Sequence, residues 1–139
     1  MIPPGGGEPF ASFLLPSGAD GLALNHDGTQ LTFVSREHGY NLMRRSIDRD
    51  DTEQLTRFTE GRIQKHRWSP DGKKIVLHRR VGHQDSLWLL DPDSRKPPTQ
   101  LATFRTGGID RVEWARDSKS VVFTYGTLSQ DVALISGFR

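Results

Sequence analysis

Short apolar runs separated by turn residues recur along the whole chain, and no long amphipathic segment interrupts them. The runs are rich in β-branched and aromatic residues and are bounded by Gly, Pro, Asp and Ser, which is typical of β-strands. No window keeps the 3.6-residue period of an amphipathic helix. The pattern therefore predicts an all-β chain built from many short strands.

One turn motif occurs three times at nearly equal spacing. Each copy places an Asp and a small residue between two apolar runs: Asp27-Gly28, Asp71-Gly72 and Asp117-Ser118. Successive Asp residues are 44 and 46 positions apart. Glycine adopts a positive φ without steric cost, so Asp-Gly at this place predicts a tight turn between antiparallel strands. The equal spacing indicates a repeated structural unit.

The second copy, WSPDGKKIVLHRR over residues 68–80, shows the unit most completely. We predict that Trp68 ends a first strand and packs against the neighbouring unit, that Pro70 lies in the turn, and that residues 75–77 form a second strand. Trp114 and Leu24 occupy the position of Trp68 in the other copies. A third run follows in each copy, and a fourth recurs at residues 10–13, 55–58 and 101–104. Four-stranded units with a period near 45 residues indicate β-propeller blades.

The segment WSPDGKKIVLHRR, followed by SLWLLDPD and TQLATF, resembles the blades of TolB-like β-propellers, a WD40-like repeat family. The resemblance covers roughly residues 8–139, and the second copy matches best. The family includes periplasmic proteins, the propellers of prolyl-oligopeptidase-type peptidases and those of bacterial sensor proteins. The resemblance therefore implies a propeller fold, a bacterial source and a periplasmic or other extracytoplasmic location, although the N-terminus does not read as a signal peptide. It specifies the function weakly, because one fold hosts many functions.

The predicted order of the strands bears on whether the blades can close into a ring. With the strands of a blade named A to D, the sequence predicts the order D-ABCD-ABCD-ABC, which is a partial or half propeller. The predicted boundaries are a flexible lead over 1–7, an outer strand and loop over 8–19, and blades over 20–62, 63–109 and 110–139, the last without its outer strand. Closed propellers have about four to eight blades. Two hypotheses follow: the chain is a fragment of a longer propeller, or two copies form a homodimeric six-bladed ring in which each first strand completes the other's last blade.

Composition and motifs restrict the kinds of functional site that the chain can contain. The chain has no cysteine, which excludes disulfides, thiolate metal sites and a Cys nucleophile, and its net charge is only +2. No apolar run approaches the length of a membrane span. No serine lies in a Gly-x-Ser-x-Gly motif, and the five histidines lack the spacing of metal ligands. We therefore expect no catalytic residue, no metal and no cofactor.

The loops between strands B and C and between strands D and A are predicted to lie on one face of the disc, and this face is basic. Cations outnumber acids there by five to two. Arginine pairs well with carboxylates of another protein. We therefore expect an anionic protein or peptide partner at seven candidate residues: Arg36, His38, Arg62, Lys65, Arg80, His83 and Arg105.

These observations favour a non-enzymatic scaffold or sensor module that binds a protein, a peptide or a small ligand through the disc face. The alternative is the gating propeller of a prolyl-oligopeptidase-type hydrolase, whose catalytic domain would be separate. Nucleic-acid binding is less favoured, because the basic residues alternate with acids and lack an aromatic stacking platform.

Overall fold

The computed structural model describes residues 18–49, 51–105, 108–126 and 131–137. The predicted outer strand within residues 8–19 and the predicted lead over 1–7 lie almost wholly outside these ranges. The described residues form eleven strands and one 3-10 turn, Arg36–His38. The strands are β1 Ala19–Leu24, β2 Gln30–Ser35, β3 Asn41–Ser46, β4 Thr52–Gln54, β5 Arg62–Trp68, β6 Ile75–Val81, β7 Gln84–Leu90, β8 Thr99–Phe104, β9 Gly108–Trp114, β10 Ser120–Gly126 and β11 Asp131–Ser136.

The strands form three consecutive sheets, and within each sheet every strand pairs antiparallel with the next one along the chain. Within the described residues the sheets are β1-β2-β3-β4, β5-β6-β7-β8 and β9-β10-β11. The first strands of neighbouring sheets lie next to each other, β1 beside β5 and β5 beside β9. First strands therefore form the inner side of the arc and fourth strands the outer side. The predicted all-β architecture of propeller blades is confirmed, and the three sheets are called blades 1 to 3 below.

The A–B turns share one geometry in all three blades. The N–H groups of Asn25, Ser69 and Ala115 each donate across the turn to a main-chain carbonyl, at 3.0, 2.8 and 2.8 Å. In each turn the Asp carboxylate accepts the N–H two residues later, as in the 3.0 Å bond from Lys73 to Asp71. These bonds form Asx turns. The connections are longer than the predicted tight turn, because each also contains a β-turn in which residue 28, 72 or 118 donates its N–H to the carbonyl three residues earlier.

Gly72 shows why a glycine follows the Asp. Its φ is +74°, and a Cβ atom at this position would collide with the imidazole of His26 in the turn of blade 1. Ser118 holds the equivalent position in blade 3 with φ +61°, and its hydroxyl accepts the N–H of Asp71 at 3.0 Å. The glycine and the serine thus let neighbouring turns approach each other closely.

The fourth strand of blade 1 differs from the prediction. It was predicted at residues 55–58, but β4 is only Thr52–Gln54. The reason is that side chains replace the main-chain ladder beyond Leu55. The N–H of Leu42 donates to Thr56 Oγ1 at 3.0 Å, and Asn41 Oδ1 accepts the Thr56 hydroxyl at 2.7 Å. In blade 2 the fourth strand covers the predicted residues 101–104 within β8.

The core consists of two apolar layers, one between each pair of blades. Strand β6 serves both layers: Ile75 and Leu77 pack with residues of blade 1, whereas Val76 packs with Val121 and Phe123 of blade 3. Because both faces of the blade are covered, β6 is apolar on both faces. Burial of each such side chain contributes about 1.5–3 kcal/mol.

Polar contacts accompany the apolar layer between blades 1 and 2. His66 on β5 is buried, and its Nε2 lies 2.7 Å from Thr32 Oγ1 of blade 1. The indole N–H of Trp68 donates to the same hydroxyl at 3.0 Å. Trp114 repeats the arrangement by donating to the carbonyl of Arg67 at 2.9 Å. Burial, together with the nearby charge of Arg67, lowers the pKa of His66 to about 4.

This shift predicts a loss of stability in acid. The folded-state pKa of about 4 lies below the ordinary histidine value of 6.5, so the unfolded chain binds more protons between these pH values. The free energy of unfolding should therefore fall as pH drops from 6.5 towards 4, by at most roughly 3 kcal/mol from this group. His66→Gln should flatten that slope in urea titrations, with exposed His83→Gln as the control. An unchanged slope would contradict the account.

Candidate charged face

The predicted binding residues lie at one end of the blades, but not all of them lie in loops. The B–C connection of blade 1 is the 3-10 turn Arg36–His38, and that of blade 2 is the two-residue turn Gly82-His83. Arg62, Lys65 and Arg80 were predicted in loops and lie in strands β5 and β6. The reason is the short turn at Gly82, which lets β6 and β7 pair up to Val81 and Gln84.

Arg80 is held by a carboxylate that the sequence analysis did not single out. Its Nε donates to Asp85 Oδ1 at 2.6 Å and its Nη2 donates to Oδ2 at 3.1 Å. Asp85 opens strand β7, is fully buried, and also accepts the N–H of Ile109 from blade 3 at 2.8 Å. The Arg80–Asp85 pair therefore joins blade 2 to blade 3. The sequence does contain a signal for this pair. A charged residue lies at the start of an apolar run, opposite an Arg across a two-residue turn.

His78 completes this buried cluster. Its Nε2 lies 3.3 Å from Asp85 Oδ2, yet neither ring nitrogen makes a well-aligned hydrogen bond within the described part of the chain. Burial lowers the pKa of His78, and the Asp85 charge offsets this only in part. Burial alone would raise the pKa of Asp85, but the bonds from Arg80 and Ile109 outweigh it and lower the pKa. Near neutral pH the cluster is thus one ion pair beside a neutral imidazole.

Two further candidates also connect blades. The guanidinium of Arg62 lies over the ring of Tyr40 in blade 1, 4.6 Å from its centroid, which is a cation–π contact. The ammonium of Lys65 donates to the main-chain carbonyl of Asp110 in blade 3. Neither contact neutralises the positive charge of Arg62 or Lys65, because neither involves a carboxylate.

The remaining candidates are exposed. Arg36, His83 and Arg105 stand at the surface, and none of them has an ion pair with another described residue. His38 is also exposed, and its Nδ1 lies 2.8 Å from the hydroxyl of Ser35. These four residues make no contact with a carboxylate in the described part of the chain, whereas Arg80 is committed to Asp85. The geometry suits recognition of an anion by long, mobile cations better than acid–base chemistry.

Within the described ranges, no three His, Asp or Glu side chains come together in a way that could hold a metal ion. The described part of the chain contains no helix that is long and apolar enough to cross a membrane.

Comparison with known proteins identifies the fold. No protein-family model and no curated protein matches the chain. Solved structures do match. A protein assigned as TolB from Agrobacterium tumefaciens has a TM-score of 0.66 at 22% identity, over 88% of this chain and 46% of its own. TolB from Acinetobacter baumannii has a TM-score of 0.70 at 18% identity, over 85% and 29%.

A prolyl endopeptidase structure is also similar, with a TM-score of 0.63 at 13% identity, over 86% of this chain and 20% of that one. These matches confirm the predicted TolB-like propeller fold. At these identities they show the fold alone. The chain spans less than half the length of the TolB structures that it matches.

Asp85 provides the test of the buried cluster. Asp85→Asn should destabilise the protein by roughly 2–3 kcal/mol, because the amide nitrogen would face donors where the carboxylate accepted charged hydrogen bonds. Urea unfolding monitored by tryptophan fluorescence measures this change. Asp110→Asn, an exposed carboxylate on β9, is the matched control. Equal midpoints for the two variants would show that the cluster does not join the blades.

Proposed function

We propose that the chain is a non-enzymatic propeller module that binds an anionic protein or peptide through the face formed by its B–C and D–A connections. The observation that carries this proposal is that Arg36 and Arg105 are exposed and have no ion pair with another described residue, at the same end of the blades as Arg62 and Lys65. Arginine recognises carboxylates through two parallel hydrogen bonds. Rim charges of this kind chiefly set association rate and specificity.

Two sets of exposed apolar side chains, on β1 and on β11, support a second part of the proposal, a ring made of two copies. Leu24 occupies the place of Trp68 and Trp114, the indoles that contact a preceding blade, yet it is 46% exposed, and Leu22 is 60% exposed. On β11, Val132 and Leu134 are 71% and 59% exposed. A fully stacked arrangement of blades would cover both sets of side chains.

The two faces are complementary in kind. Val132 and Leu134 are paired with Thr124 and Val122, on the side of blade 3 that faces away from blade 2. Blade 1 presents an exposed first strand on the side that faces a preceding blade, although Phe33 and Met43 on that side are buried, and blade 3 presents the side that faces a following blade. Two copies can therefore join head to tail at two equivalent joints, which gives six blades around a two-fold axis.

The ring proposal predicts a mass. Light scattering on a size-exclusion column, at several concentrations, should give a species of twice 15.7 kDa. Val132→Asp with Leu134→Asp should shift it towards the monomer, because a carboxylate in an apolar joint is costly. Thr99→Asp, at the start of the outer strand β8, is the control for added charge. A monomer at every concentration would refute the ring and leave the binding proposal standing.

The binding proposal predicts a charge-dependent affinity. A fluorescein-labelled oligoglutamate peptide, titrated by fluorescence anisotropy at low salt, should bind. Arg36→Glu with Arg105→Glu should weaken it at least about tenfold, which corresponds to 1.4 kcal/mol. Arg80 and Arg62 are left intact because they contact other blades. Arg116→Glu with Lys119→Glu makes the same charge change in the A–B turn of blade 3. Equal weakening by both pairs would show nonspecific attraction only.

A further inference from the structure

A groove of about 600 Å³ lies on the outer side of the arc, between blades 1 and 2. One wall is residues 53–58, which include the end of β4, and the other is residues 91–98, the connection between β7 and β8. Its volume falls in the range of ligand-binding sites. The groove is separate from the charged face, because the connection between β7 and β8 leaves the opposite end of the blade.

The floor of the groove is apolar and aromatic. Phe58 and Trp88 meet edge to face with their ring centroids 5.1 Å apart, and both rings are only half-buried. Leu55 and Leu90 extend this surface. The guanidinium of Arg79 lies over the Phe58 ring at 4.1 Å. This floor fits an apolar or aromatic side chain that stacks on Trp88.

Arg44 holds the two walls in place. Its Nη2 donates to Glu53 Oε1 at 2.7 Å in blade 1, and its Nη1 donates to Asp93 Oδ1 at 2.9 Å in blade 2. The Nη2 atom also contacts the carbonyl of Pro92 at 3.4 Å. The Arg44 side chain is largely buried, whereas Glu53 and Asp93 are exposed, so the guanidinium is the fixed end of both bonds. The walls are therefore preorganised before any occupant arrives.

The charges of the groove are unbalanced at its mouth. Glu53 is already paired with Arg44, as is the neighbouring Asp93. Arg95 and Lys96 are exposed, and neither side chain has an ion pair with any residue in the described ranges. Arg95 has φ +60°, a conformation that glycine adopts without strain. Of the other charged residues that line the groove, Arg57 is a further cation, and Asp91 is an acid that accepts the N–H of Asp93. Three cations thus outnumber one acid outside the Arg44 pairs, and this net positive charge favours an occupant with carboxylates.

The edge of blade 1 is closed to a further strand. The carbonyl of Thr56 accepts the side-chain amide of Gln54 at 2.8 Å, and the carbonyl of Gln54 accepts Arg57 Nη1 at 3.3 Å. Acceptors occupied by the chain's own side chains blunt a sheet edge. An occupant must therefore bind through side chains instead of adding to the sheet, which disfavours edge-to-edge pairing with a second copy.

We propose that this groove binds an extended acidic segment of a partner protein. One apolar side chain of the segment stacks on Trp88 and Phe58, and flanking carboxylates pair with Arg95 and Lys96. The segment is a partner's and does not need the ring or the charged face.

The test uses the labelled peptide EDLWDE and its charge-reversed counterpart KKLWKK. The acidic peptide should bind saturably, and in nitrogen-15 spectra it should shift the Trp88 indole and the amides of residues 53–58 and 91–96. The basic peptide should do neither. Arg95→Glu with Lys96→Glu should weaken binding at least tenfold, whereas Arg116→Glu with Lys119→Glu, in the A–B turn of blade 3, should leave it unchanged.

A second variant separates charge from folding. Arg95→Gly removes the charge and relieves the strain of the positive φ. It should therefore lower the affinity for the peptide without lowering the midpoint of thermal unfolding. Unchanged affinity in both Arg95 variants would overturn the proposal. Shifts confined to the charged face would also overturn it, while supporting the proposed function. Concentration-dependent shifts at the groove without peptide would assign it to a second copy and overturn it as well.

Discussion

The requirement that each blade be covered on both faces governs this structure. A four-stranded sheet whose two sides are apolar cannot face water on either side, so blades are stable only in a stack. Blade 2 meets the requirement fully: Ile75 and Leu77 lie in one layer and Val76 lies in the other. Blades 1 and 3 each expose apolar side chains on the side away from blade 2, Leu24 on β1 and Leu134 on β11. The joints between blades therefore determine the stability of the arc.

Polar groups at these joints make the stacking specific. Apolar layers alone would tolerate sliding of one blade over another, whereas His66 with Thr32 and Asp85 with the Ile109 N–H fix the position of each neighbour. Buried polar groups left without partners are costly, so a shifted stack is disfavoured. Cations of the charged face also take part in these joints, as Arg80 does through its pair with Asp85. Only the most exposed ones are accessible to a partner.

Much of the fold could be predicted from the sequence, because the same turn residues mark each copy of the repeat. Asp71-Gly72 and its counterparts mark the A–B turns, and the tryptophan three residues before the Asp marks the joint. The shift of β4 could not be predicted, since it depends on the Thr56 hydroxyl reaching Asn41, fifteen residues away in sequence. The Asp85 bond to Ile109 and the groove depend on neighbouring blades in the same way. Residue type predicted local turns, whereas contacts between blades required coordinates.

The most direct test of the account is hydrogen exchange measured strand by strand at low protein concentration. Exchange rates report the local free energy of opening. If cover on both faces determines stability, the amides of β6 and β7 should exchange most slowly, and those of β1 and β11 should exchange markedly faster. Equal protection across the three blades, or slower exchange in β11 than in β6, would contradict the account.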